Sequence, residues 1–168
     1  SNILSQKKVD LKRYSEKLIQ FIKVKNINKP ILIGHSFGAL MTIEIAGLNP
    51  SILKSGIAVA PIHDRSSEAL KNIRQRVKEL KKNSSEKITI TKLLQRWFGN
   101  SRSKKITNFS NFVEGLLRLN KDNNLKGYLM AYVVFSKFRR SSLKIIKNIK
   151  VPMFYISCLL YTSPSPRD

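Results

Sequence analysis

Residues 9–27 carry a helical rhythm. Leu11, Tyr14, Leu18 and Ile22 recur at helical spacing, with Lys12, Lys17 and Lys23 among the positions between them. Asp10 is placed to cap this helix, and Asn26, Asn28 and Pro30 are placed to break it. The pattern then changes. Ile31-Leu32-Ile33 is a short run with no polar member, which predicts a strand buried on both faces, as in the middle of a parallel sheet. A tight Gly-rich turn follows at 34–38. Residues 39–48 predict an amphipathic helix stopped by Asn49-Pro50, and residues 56–60 a second short buried strand ended by Pro61. Helix, strand, helix, strand at this spacing predicts the α/β class with a parallel sheet.

The texture shifts at His63. Residues 65–82 read as a charged helix, 81–85 as a loop, 88–98 as a further helix, and helical periodicity returns in 109–119 and 125–138. Strand-like alternation is absent between 65 and 140. Val151-Pro152-Met153-Phe154-Tyr155-Ile156 then predicts a third buried strand, with Pro152 at its start, where a missing N–H is tolerated. The expected organisation is a core over 1–62, an all-helical insert over 63–146, a returning core strand over 147–157, and a tail over 158–168.

Composition narrows the picture. The chain has 168 residues, enough for one domain with an insertion. Hydrophobic residues make up 42%, which excludes wholesale disorder. No apolar run approaches the roughly 20 residues that span a bilayer. Cys158 is the only cysteine, so neither an internal disulfide nor a cysteine-rich zinc site can form. The formal net charge is +22, from 32 Lys and Arg against 10 Asp and Glu, and it is unevenly placed. Residues 31–53 hold no Lys or Arg, whereas residues 65–150 hold 22 basic and 5 acidic side chains. Two explanations compete. One is a solvated charged surface on a chain rich in Lys, Asn and Ile, as AT-rich coding DNA produces. The other is a cationic module for nucleic acid, anionic membrane or an anionic substrate.

The chemistry centres on Gly34-His35-Ser36-Phe37-Gly38, which fits G-x-S-x-G, the nucleophile elbow. A serine hydroxyl is a poor nucleophile in water. It needs an exposed, strained position, a general base within hydrogen-bond reach, and donors for the developing oxyanion. A sharp strand-to-helix turn supplies the position. Gly34 and Gly38 are expected because side chains there would collide with the neighbouring strand and helix. The Phe37 N–H is turned toward the substrate oxygen, and the positive end of the next helix lies beneath it. A purely structural Gly-rich turn is the alternative. No Gly-Lys-Ser/Thr follows, which excludes a phosphate loop.

These residues resemble the α/β-hydrolase superfamily. Residues 28–40 and 48–61 are similar to its central strand, elbow, following helix and next strand, and residues 147–156 to the strand after its helical cap. Leu93-Leu94-Gln95-Arg96-Trp97-Phe98 and Gly127-Tyr128-Leu129-Met130-Ala131-Tyr132 are similar to pieces of the branch that holds 3-oxoadipate enol-lactonases and related small-molecule esterases. The resemblance implies a partial α/β-hydrolase fold with an inserted helical cap. It also implies further strands before Ser1, and a triad acid and histidine after Ile156. Here residues 158–168 instead resemble a translated sequencing-library adapter. They are therefore expected to be non-native, and Asp168 is not expected to be the triad acid. Because the chain opens on Ser1, a piece of a longer protein is expected, inactive by itself.

His35 precedes the nucleophile and is expected to point away from it, into the packing of the elbow. His63 and Asp64 follow the second strand at the mouth of the site, where some branches of the superfamily place an acid. Trp97, Tyr128 and Tyr132 either pack helices together or wall an apolar pocket. Arg96, Arg139 or Arg140 would be suited to a bidentate grip on a substrate carboxylate. The expected function of the intact protein is hydrolysis of a small, possibly anionic, carboxylic ester or lactone through an acyl-enzyme at Ser36. No cofactor, metal or nucleic acid is called for, and the expected location is cytoplasmic. The competing functions are a cationic nucleic-acid- or membrane-binding module and a hydrolase fold without catalysis.

Overall fold

The computed structural model describes residues 9–61, 66–82, 86–99, 104–119, 121–137 and 140–157. Strands β1 (Ile31–His35), β2 (Ser55–Val59) and β3 (Met153–Ile156) form one parallel sheet in the order β1-β2-β3. The α/β class read from the sequence is the observed one. Register places Ile33 opposite Ile57, and Ile57 opposite Phe154. Strand alternation then puts Leu32, Gly34, Gly56, Ala58 and Met153 on one face, and Ile31, Ile33, Ile57, Phe154 and Ile156 on the other.

Helix α1 (Leu11–Val24) begins at Asp10, whose carboxylate accepts the Arg13 N–H at 3.0 Å, the N-cap foreseen from the sequence. It buries Leu11, Ser15, Ile19 and Ile22 and packs on α2 (Phe37–Leu48). Helix α2 in turn packs on β1 and β2, and on a 3₁₀ helix (Arg140–Asn148) that sequence periodicity did not reveal. Contact on three sides explains why α2 is apolar all round rather than amphipathic as expected: Ala39, Leu40, Ile43, Ile45 and Ala46 are all buried. Small residues set the spacing. A Cβ on Gly47 would strike Ile145 of the 3₁₀ helix, and one on Gly56 would strike the Met153 side chain. Ala39, Ile43 and Ala58 form one core cluster, and Ile19, Ile45, Ala46 and Leu53 another.

The strands are not buried on both faces as expected. Gly34 and Ala58 are buried toward α2, but Ile33 is 66% exposed and Phe154 62% exposed on the opposite face. Ile31 and Ile156 on that face are exposed as well. The apolar run 31–33 therefore reports two apolar faces, of which one is packed.

The chain divides into two compact units. The sheet, α1, α2 and the 3₁₀ helix belong to one; residues Ala69–Ser136 belong to the other. The second unit comprises α4 (Glu86–Phe98), α5 (Lys104–Leu119) and nearly all of α3 (Ser67–Lys82) and α6 (Lys121–Lys137). Helix α3 runs through Lys82, into residues expected to form a loop. Ile90, Leu93, Leu94 and Val134 are buried in this unit, whereas α3 buries none of its residues.

Candidate functional site

Ser36 stands between the end of β1 and the start of α2. Its backbone has φ 52° and ψ −111°, a region that residues with a Cβ rarely enter and that costs of order 1–3 kcal/mol. Two tethers hold it there. The Ser36 N–H donates to the Val59 carbonyl at 2.9 Å, which fixes the turn to the carboxyl end of β2. The Ser36 carbonyl accepts the Ala39 and Leu40 N–H groups at 3.1 and 3.3 Å, which starts α2. The Ser36 side chain does not cap α2, unlike a serine in the usual N-cap role. Its hydroxyl is left for other chemistry, on a half-buried residue at the carboxyl edge of a parallel sheet, where α/β folds bind ligands.

The two glycines of the motif differ. A Cβ on Gly34 would fall on the Gly38 carbonyl and the Thr42 hydroxyl, so only glycine fits while α2 starts this close to β1. A Cβ on Gly38 would meet nothing within 4 Å. The expected collision at Gly38 is absent; what Gly38 contributes to the contact is its carbonyl. Thr42 completes this arrangement. It is buried and donates its hydroxyl to the Gly38 carbonyl at 3.0 Å, a contact that motif reading did not single out.

Phe37 opens α2, and its ring meets Tyr14 of α1 edge-on, with centroids 5.3 Å apart. Burial pushes the Tyr14 phenol above its ordinary pKa, so it is neutral at physiological pH. His35 is exposed rather than packed into the elbow. Strand alternation puts it on the open sheet face with Ile31 and Ile33, opposite to Gly34. His63 and Asp64 lie outside the described residues. So do the side chains of Arg96, Arg139 and Arg140, and residues 158–168, including Cys158 and Asp168. Glu44, a half-buried carboxylate of α2, has its pKa raised by desolvation and by nearby Asp10 and Glu16, with Lys12 opposing. No group of three or more His, Cys, Asp or Glu among the described residues is arranged to hold a metal ion.

Trp97, Tyr128 and Tyr132 come together in the helical unit. Trp97 and Tyr128 meet edge-on at 6.2 Å, Tyr128 and Tyr132 lie 4.7 Å apart, and the Arg76 guanidinium sits 5.9 Å above the Tyr132 ring. These contacts join α3, α4 and α6.

Two hydrolases are similar to this chain. An (E)-2-((N-methylformamido)methylene)succinate hydrolase from Acinetobacter baylyi is 29% identical over 119 residues, which is 71% of this chain and 42% of that protein. A hydrolase from Pseudomonas aeruginosa of known structure matches with a TM-score of 0.61 at 11% identity, over 89% of this chain and 64% of that one. The chain thus spans less than half of the curated relative and under two thirds of the solved hydrolase. No protein-family model matches it.

Proposed function

On the premise of a parallel α/β sheet similar in fold to a solved hydrolase, we propose that Ser36 is the nucleophile of a serine hydrolase. One observation carries the reading: a serine held at φ 52° and ψ −111° between β1 and α2, tethered to Val59 and not used as a cap. Strain of this kind in a non-glycine residue persists only where surrounding structure enforces it, and it gathers at functional sites.

The chemistry is acyl transfer in two halves. A histidine takes the Ser36 hydroxyl proton as the oxygen attacks the substrate carbonyl carbon, and an acid orients that histidine. The Phe37 N–H and the N-terminal dipole of α2 stabilise the oxyanion. The leaving group departs with the proton, and water then releases the acyl group from Ser36. The base and acid are residues beyond those described here. His35 is not proposed as the base, because strand alternation puts it on the sheet face opposite to Gly34.

The proposed substrate is a small carboxylic ester or lactone. The name of the Acinetobacter relative denotes hydrolysis of a succinate, a small dicarboxylate. That supports the expectation of a small anionic substrate and makes an amide-type bond the second reading. Both proceed through the same acyl-enzyme. The test is labelling of the protein with a fluorophosphonate probe, with Ser36→Ala as control. Labelling confined to wild type supports the nucleophile; labelling that survives the substitution removes Ser36 from the role. An ester, lactone and amide panel on the full-length protein then chooses the bond.

A further inference from the structure

The proposed acyl transfer makes no use of the surface of α5. Five apolar side chains of α5 (Ile106, Phe109, Phe112, Leu116 and Leu119) are exposed; Phe112 is 60% and Leu119 81% exposed. Phe109, Phe112, Leu116 and Leu119 follow one another at intervals of three and four residues, so they form a single stripe along the helix. Ring contacts brace its N-terminal half. Phe109 meets Phe98 of α4 edge-on at 5.8 Å and stacks on Phe112 at 6.4 Å. Lys105, exposed one turn before Phe109, extends the same line.

The unit that carries this stripe is strongly basic. Residues Ala69–Ser136 hold 15 Lys and Arg against 4 Asp and Glu. Much of that charge is on α3, where Lys71, Arg74, Lys78, Lys81 and Lys82 are all exposed. No helix among the described residues is long and apolar enough to cross a membrane.

We propose that the apolar stripe of α5 seats in the interfacial layer of an anionic lipid surface, with the basic side chains of the same unit drawing the protein to it. The two features suit one occupant. A stripe of aromatic and leucine side chains gains free energy only by leaving water, and a headgroup–acyl boundary accepts it without complementary shape. Lysines spread over separate helices match a fluid layer of negative charge, each adding about 1 kcal/mol near the surface. Nucleic acid would use the cations but would leave Leu116 and Leu119 in water, because aliphatic side chains neither stack on bases nor pair with phosphates. The proposal stands whether or not Ser36 is a nucleophile.

Vesicle flotation of the full chain tests it, with phosphatidylcholine vesicles compared against phosphatidylcholine–phosphatidylglycerol vesicles. Binding is expected only to the anionic vesicles, weakening with added salt. Phe112→Ser and Leu119→Ser are each expected to weaken it about tenfold or more. Both side chains are already exposed, so circular dichroism should show unchanged helix content. Absence of binding at low salt would overturn the proposal. So would binding that neither substitution weakens, or vesicle binding matched by uncharged phosphatidylcholine alone.

Discussion

The ring of Tyr14 in α1 meets the ring of Phe37, the residue after the candidate nucleophile, edge-on at 5.3 Å with planes 86° apart. An aromatic pair of this geometry contributes about 0.5–1.5 kcal/mol beyond its buried area. It ties α1 to the first residue of α2, and so to the amide assigned to the oxyanion. Tyr14→Ala should lower the rate of probe labelling at Ser36, while Tyr14→Phe, which keeps the ring, should restore it. Equal rates in all three proteins would show that α1 has no hold on the elbow.

The unequal glycines predict unequal substitutions. Gly34→Ala forces a Cβ onto the Gly38 carbonyl and the Thr42 hydroxyl, so α2 must move off β1; a loss of about 3 kcal/mol or more is expected, as for other overpacked cores. Gly38→Ala enters open space in a helical segment and should be neutral or stabilising, by up to about 1 kcal/mol. Urea midpoints of the two variants decide this, and a Gly38→Ala loss as large as that of Gly34→Ala would contradict it.

Strain at Ser36 should appear as a stability difference between two variants that lack the hydroxyl. Glycine accepts φ 52° and ψ −111° without a Cβ penalty, and alanine does not. Ser36→Gly should therefore melt above Ser36→Ala, with about 1 kcal/mol between them after allowing for the greater chain entropy of glycine. An alanine variant as stable as the glycine variant would mean that the turn relaxes once the hydroxyl is gone.

Glu44 makes stability depend on pH. Burial raises its pKa in the folded protein, with Asp10 and Glu16 adding to the rise and Lys12 opposing it. The folded state then holds the proton more tightly than the unfolded chain. Its contribution favours folding below the unfolded pKa, and is lost as pH rises through the raised folded value. Glu44→Gln should stabilise the protein at neutral pH and remove that part of the decline. Parallel curves for wild type and variant across this window would show that Glu44 titrates normally.

The two faces of the sheet should respond differently to truncation. Ile43 of α2 is buried against Ala39 and Ala58, and Ile43→Ala should cost about 2–5 kcal/mol. Ile33, two-thirds exposed on the open face, should cost under about 1 kcal/mol when changed to Ala. Denaturant midpoints measure both. A large loss at Ile33 would mean that the open face is covered in solution.

Local chemistry was legible where it depends on neighbours in the chain. Asp10 as a cap, Asn49-Pro50 as a stop, the apolar runs at 31–33 and 56–60, and the strand–turn–helix around Ser36 each follow from the preferences of a few consecutive residues. What the sequence determined by itself is therefore the α/β class and the position of the strand–turn–helix that holds Ser36. Only the tertiary structure decided that Gly34 is sterically required and Gly38 is not, since a Cβ clash depends on what lies across the gap. It also decided that Tyr14 braces Phe37, that residues 140–148 fold as a 3₁₀ helix against α2, and that one face of an all-apolar strand is left open. Each of these is a relation between segments far apart in the chain, and hydrophobic pattern records whether a side chain avoids water, not which partner removes it from water.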